Sequence, residues 1–164
     1  MSIVQTATTS FKVQLAQGLH NFGPTSPNTF YIALFTSSAT INAATTQYST
    51  ALVGEVPTGG GYTQGGQPLT ITTTPTSGST GGTVAYWSFQ NVVWSPASFT
   101  ARGALIYNTS QSNASVAILG TINRTTELLE PVLFLISDDK DPMGLGVCRR
   151  LCGGNVAHAA AEGA

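Results

Sequence analysis

Cys148, Cys152 and His158 lie close together near the C-terminus, in a stretch that also carries Asp138, Asp139, Lys140, Asp141, Arg149 and Arg150. Thiols and an imidazole at such spacing could hold a soft metal ion, and tetrahedral zinc is the chemistry they would serve. A closed zinc site needs a fourth ligand, which this stretch does not offer at a matching position. A disulfide is disfavoured in a reducing compartment, so the reading is two free thiols on a loose segment.

Upstream the means for chemistry nearly vanish. From residue 1 to 123 the only charged side chains are Lys12, Glu55 and Arg102, with His20 the one imidazole and neither Asp nor Cys present. One Glu cannot form the paired carboxylates of a glycosidase, and one Glu with one His cannot complete a metal shell. No Gly-x-Ser-x-Gly elbow supports a hydrolase. The expectation is therefore no catalytic residue, no cofactor and no metal. Gly59-Gly60-Gly61 and Gly65-Gly66 suggest a phosphate loop, but the Gly-Lys-Ser/Thr ending is missing. They read as a surface loop, flexible or close-packed. His20 suits capping or packing near a helix end. Arg102 either crosses an interface, pairs with Glu55 or faces solvent. Trp87, Phe89, Trp94 and Phe99 read as core or subunit-interface packing rather than a sugar platform. The Asn-x-Ser/Thr triplets at Asn108, Asn113 and Asn123 read as incidental, because no secretory signal accompanies them.

Only 8% of the 164 residues are charged, and the net charge is −1. Without clustered Lys and Arg there is no grip on phosphates, which argues against nucleic acid as a partner. The N-terminus lacks the basic start and apolar stretch of a secretory signal, and no apolar run is long enough to span a bilayer, so no membrane partner is expected. A surface of Thr, Ser, Asn, Gln and Gly suits a protein that lives packed in an assembly.

The elements that would position these residues are mostly strands. TFYIALFT (Thr29 to Thr36) places Phe30, Ile32 and Leu34 on one face and Tyr31, Ala33 and Phe35 on the other, both apolar, as in a strand buried on both sides. LTITTT (Leu69 to Thr74) alternates until Pro75 interrupts it, which fits an edge or half-exposed strand. GTVAYWSFQNVVWS (Gly82 to Ser95) predicts a strand, a turn at Gln90-Asn91 and a short second strand. FTARGALIYN and ASVAILGTI flank NTSQSN as a hairpin. One helix is expected over about 9–22, with Thr9 or Ser10 as N-cap and Gly23-Pro24 as its stop. Residues 37–49 offer a second short helix, weakened by their Thr content. The fold class that follows is mainly β, an antiparallel β-sandwich or jelly-roll-like domain with a short N-terminal helix.

A seam crosses the chain near residue 124. Ten charged residues lie beyond it against three before it, and Thr ends at Thr126. Residues 1–126 therefore read as the β-rich structural domain. Residues 127–164 read as an atypical tail, with a closing strand at 132–136 followed by an extended or poorly ordered arm.

Taken in order, FKVQLAQGLHNF, NTFYIALFTSSATI, GYTQGGQPLT, VVW and ARGALIYN resemble a family of small virion structural proteins of tailed bacteriophages. The resemblance spans roughly residues 10 to 122. It implies a non-enzymatic building block, first of all a capsid decoration or cement protein. Such a protein is made in the bacterial cytoplasm, acts on the virion as a homotrimer, and has the major capsid protein as partner. A tail, neck or fibre component, including one that binds a host receptor, is the alternative. Lys12, Glu55, Tyr62, Arg102 and Tyr107 are the candidate assembly contacts. The family pattern continues with a Thr/Gly-rich turn where this chain has ELLEPVLF. Reading Glu127 to Phe134 in a shifted frame permits such a turn, so two readings of the tail stand: a frame-shifted product or a functional arm.

Overall fold

The computed structural model describes residues 3–78, 84–120, 128–129, 132–137 and 145–149. In chain order the elements are β1 (Thr6–Ala7), α1 (Thr9–Ala16), β2 (Phe30–Phe35), β3 (Gln67–Leu69), β4 (Ile71–Ser77), β5 (Val84–Phe89) and β6 (Val92–Val93). There follow β7 (Gly103–Asn108), a single 3-10 turn at Thr109–Gln111, β8 (Ala114–Leu119), β9 (Leu128–Leu129), β10 (Val132–Ser137) and β11 (Leu145–Arg149). This is a mainly β, antiparallel fold with one short N-terminal helix.

Two sheets carry it. The first runs β1-β8-β7-β2-β3 and the second β11-β10-β5-β4, while β6 pairs with β9 alone. The predicted hairpin is β7 with β8, joined by the turn after Asn108. Tyr107 pairs with Ser115 there, after a register shift from the Ile106 to Ala117 pair.

The period-2 alternation of β2 decides the packing. Phe30, Ile32 and Leu34 join Ala104, Ile106, Val116 and Leu119 of the first sheet and Trp87 and Phe89 of the second in one core. Ala33 and Phe35 point the other way, into a cluster with Leu105, Tyr107 and Ile118 that Ile3, Ala39, Ile41 and Tyr48 cover. Antiparallel sheets commonly leave one face to water, but this one is covered on both, which is why TFYIALFT reads as a continuous apolar run. Each large side chain so buried contributes about 1.5–3 kcal/mol.

Several expectations need correction. The helix ends at Ala16 rather than near residue 22, because Gly18 adopts φ +72° and reverses the chain. Its N-cap is Thr8, whose Oγ1 accepts from the Phe11 amide, not Thr9 or Ser10. Phe11 is the one buried residue of this eight-residue helix, so tertiary contacts rather than propensity hold it. Residues 37–49 form turns, not a helix, and their apolar residues cover the first sheet. Pro75 does not interrupt β4, since an edge strand tolerates a missing N–H. The pairing with β5 shifts register between Ile71 and Thr73 and between Thr73 and Thr76.

Beyond the seam, β10 spans Val132–Ser137 and lies between β5 and β11, with Phe134 opposite Trp87. Residues 145–149 form a strand paired with β10, and Cys148 sits opposite Leu133. Cys152, His158 and the rest of the expected arm, 138–144 and 150–164, lie outside the described residues.

Candidate functional site

Two polar clusters stand out in a chain so poor in charge. The first gathers around Glu55, which an isolated bridge to Phe35 holds against the end of β2. Its Oε2 accepts from the Tyr48 hydroxyl at 2.9 Å. Its Oε1 accepts from the Tyr62 hydroxyl at 2.9 Å and from the Gly65 amide at 2.7 Å. The Tyr62 hydroxyl in turn accepts from the Leu34 amide of β2 at 2.9 Å. The Tyr107 hydroxyl donates to the Gly65 carbonyl at 2.7 Å, and its ring stacks on Tyr48 with centroids 4.3 Å apart. The carboxylate thus ties Tyr48 of the covering segment to the Gly-rich loop, and Gly65 of that loop carries the link on to Tyr107 of β7.

The Gly-rich loop is close-packed. A Cβ at Gly61 (φ +91°) would collide with the Pro96 carbonyl oxygen, and one at Gly66 (φ +77°) with that of Ile32. The glycines serve close backbone approach, not phosphate binding. Burial raises the tyrosine hydroxyls above their ordinary range, and the nearby carboxylate adds to it. Tyr107 is pushed up to about 12, and Tyr48 and Tyr62 shift in the same direction. At neutral pH these hydroxyls are protonated donors. A carboxyl that accepts from two hydroxyls and a backbone amide acts as a structural clamp between the segments that carry them.

The second cluster centres on His20, which is 6% exposed. Its Nε2 meets Gln14 Oε1 at 3.0 Å and its Nδ1 meets Asn108 Nδ2 at 2.9 Å. Because an amide nitrogen only donates, Nδ1 is the acceptor and Nε2 carries the proton. Burial lowers the imidazole to about 4. Of the two roles expected for His20, capping and packing, the structure shows packing. His20 joins α1 to the end of β7.

The sequence candidates are distributed as follows. Glu55, Tyr62 and Tyr107 come together in the first cluster, with Tyr62 and Tyr107 only 2% and 4% exposed. The Glu55 carboxylate bonds Tyr48, Tyr62 and Gly65, and the suggested pairing with Arg102 is not made. Arg102 is half-buried beside β7, its Nη1 buried without a hydrogen-bond partner. Lys12 is half-buried on α1 and belongs to neither cluster. Trp87, Phe89 and Trp94 are buried, with Phe99 packed against their core. Asn108 is fully buried.

Sequence reasoning missed Tyr48, Gly65, Gln14 and Asn108. The available signal was the scarcity of charge itself: a lone Glu with two distant cations must be satisfied by neutral donors. Among the described residues no group of three His, Cys, Asp or Glu could hold a metal ion. No helix among them is long and apolar enough to cross a membrane. No protein-family model, curated protein or solved structure matches the chain.

Proposed function

We propose that the chain is a non-enzymatic structural subunit of a tailed-bacteriophage particle, specifically a capsid decoration protein. In this reading it binds the major capsid protein, self-associates as a homotrimer and stabilises the head. The observation that carries the reading is the state of its charges. Lys12, Glu55 and Arg102 are all half-buried, so no side chain described as exposed is charged. What faces outward is Thr, Ser, Asn, Gln and Gly, with isolated apolar residues such as Val4, Val13 and Val53.

Such a surface carries little electrostatic repulsion between copies and little desolvation cost on contact, which suits dense symmetric packing. The two-sided burial of the first sheet supplies rigidity, and the ordered series of segments between residues 10 and 122 supplies the likeness to phage virion proteins.

Quantitative mass spectrometry of purified particles tests the proposal. On the order of hundreds of copies per particle, lost together with resistance of the head to heat, is the expected result. About a dozen copies or fewer would move the protein to the neck or tail and overturn the decoration reading.

A further inference from the structure

We propose that the molecule carries an acid-operated latch, in which protonation of His20 releases α1 and the Phe22 segment from the sheets while the sheets stay closed. The latch rests on the direction of one hydrogen bond. His20 Nδ1 accepts from Asn108 Nδ2, 2.9 Å away. A proton on Nδ1 would set two donors against each other at that distance.

Asn108 cannot turn its oxygen to meet the new proton without breaking other bonds. Its Oδ1 accepts from the Ser110 amide at 3.0 Å, and its Nδ2 also donates to Asn28 Oδ1 at 3.0 Å. Asn28 Oδ1 is itself engaged by the Asn21 amide at 2.8 Å. The opposite edge of the ring gives no relief, because Nε2 already donates to Gln14 in the neutral state.

Among the described residues no facing group would stabilise the imidazolium by opposite charge. On α1 the only ionisable side chain is the cation Lys12, and residues 21–29 contain none. Packed nearby, β2, β5 and β7 contribute only Tyr31, Tyr86 and Tyr107. Tyr31 and Tyr107 lie with the cluster on the far face of the first sheet. Tyr86 alternates away from the core residue Trp87. The ring also lies against those of Phe11, 4.9 Å away, and Phe22, 6.4 Å away.

What the latch holds is also defined. Phe22 stacks on Phe30 at 4.6 Å and lies 4.8 Å from Trp87. Two residues from His20, it leaves its slot when the clasp opens, uncovering Trp87. A free histidine titrates near 6.5, whereas the clasped one titrates at about 4, so each pH unit between these values favours the open form about tenfold.

Amide hydrogen exchange of the full chain at pH about 7 and about 5, corrected for intrinsic rates, reads this directly, and ordinary carboxylates remain largely ionised throughout. Protection of residues 9–22 is expected to fall about twentyfold between the two, with β7 and β8 unchanged and tryptophan emission shifted to the red. Unchanged protection of 9–22, or loss in all segments together, would overturn the latch. His20→Asn keeps an acceptor for Asn108 and cannot titrate, so its 9–22 protection should not change with pH. The same loss in that variant would equally sink the idea. If the variant does not fold, the profile of the native chain decides alone.

Discussion

Tyr62 and Glu55 share a hydrogen bond of 2.9 Å whose donor is itself an acceptor, for the Tyr62 oxygen also receives the Leu34 amide. Removing that oxygen leaves a buried N–H unpaired and strips one donor from the carboxylate. Tyr62→Phe should cost about 2 kcal/mol, seen as a lower urea midpoint at unchanged slope. Tyr48→Phe removes a hydroxyl that lies nearer the surface and is not the acceptor for a strand amide, and it should cost less. Equal costs would contradict the bridging role.

The Gly-rich loop gives a sharper contrast. At Gly61 the added methyl of alanine meets the Pro96 carbonyl, whereas at Gly18 nothing lies within 4 Å although φ is +72°. Gly18→Ala should lose only the conformational preference, about 1 kcal/mol. Gly61→Ala should lose clearly more, because backbone must move. Thermal melts of the two variants side by side would check the ranking.

Alkaline stability should depend on the clamp. Tyr107 has its folded value raised to about 12, and Tyr48 and Tyr62 shift upward as well. Unfolded tyrosines ionise near 10, so above that pH the unfolded chain gives up protons that the folded one keeps. Stability is then full below about pH 10 and declines as pH rises toward 12 and beyond. Ultraviolet titration should show fewer tyrosinates than the five tyrosines of the chain until the protein unfolds.

Thr8 links helix to sheet. Its Oγ1 caps Phe11 and bonds Ser115, and its amide donates to the Val116 carbonyl. Thr8→Ala should cost about 1 kcal/mol or somewhat more, while Thr8→Ser keeps the oxygen and most of the stability. Chemical denaturation of both variants measures the difference.

The strands were legible because burial on both faces forces a continuous run of β-formers, and β2 and the β7 to β8 hairpin show it plainly. The helix boundary was not, since Gly18 inside FKVQLAQGLHNF ends it through backbone conformation before the apolar pattern ends. Nor could spacing reveal that residues 37–49 cover a sheet, because Ala39, Ile41 and Tyr48 follow neither a helical nor a strand period. Of the candidate contacts, Glu55, Tyr62 and Tyr107 were found as residue types. Their convergence depends on loops that only the closed fold brings together.

The pairing of Thr8 with Ser115 joins residues 107 positions apart. A ribosome that has delivered β1 and α1 must therefore complete β8 before this link can form, so the earlier-made of the two segments settles late. During synthesis the apolar strand β7 waits with an open edge that β8 will later close, and an open edge of this kind is where a growing chain pairs wrongly.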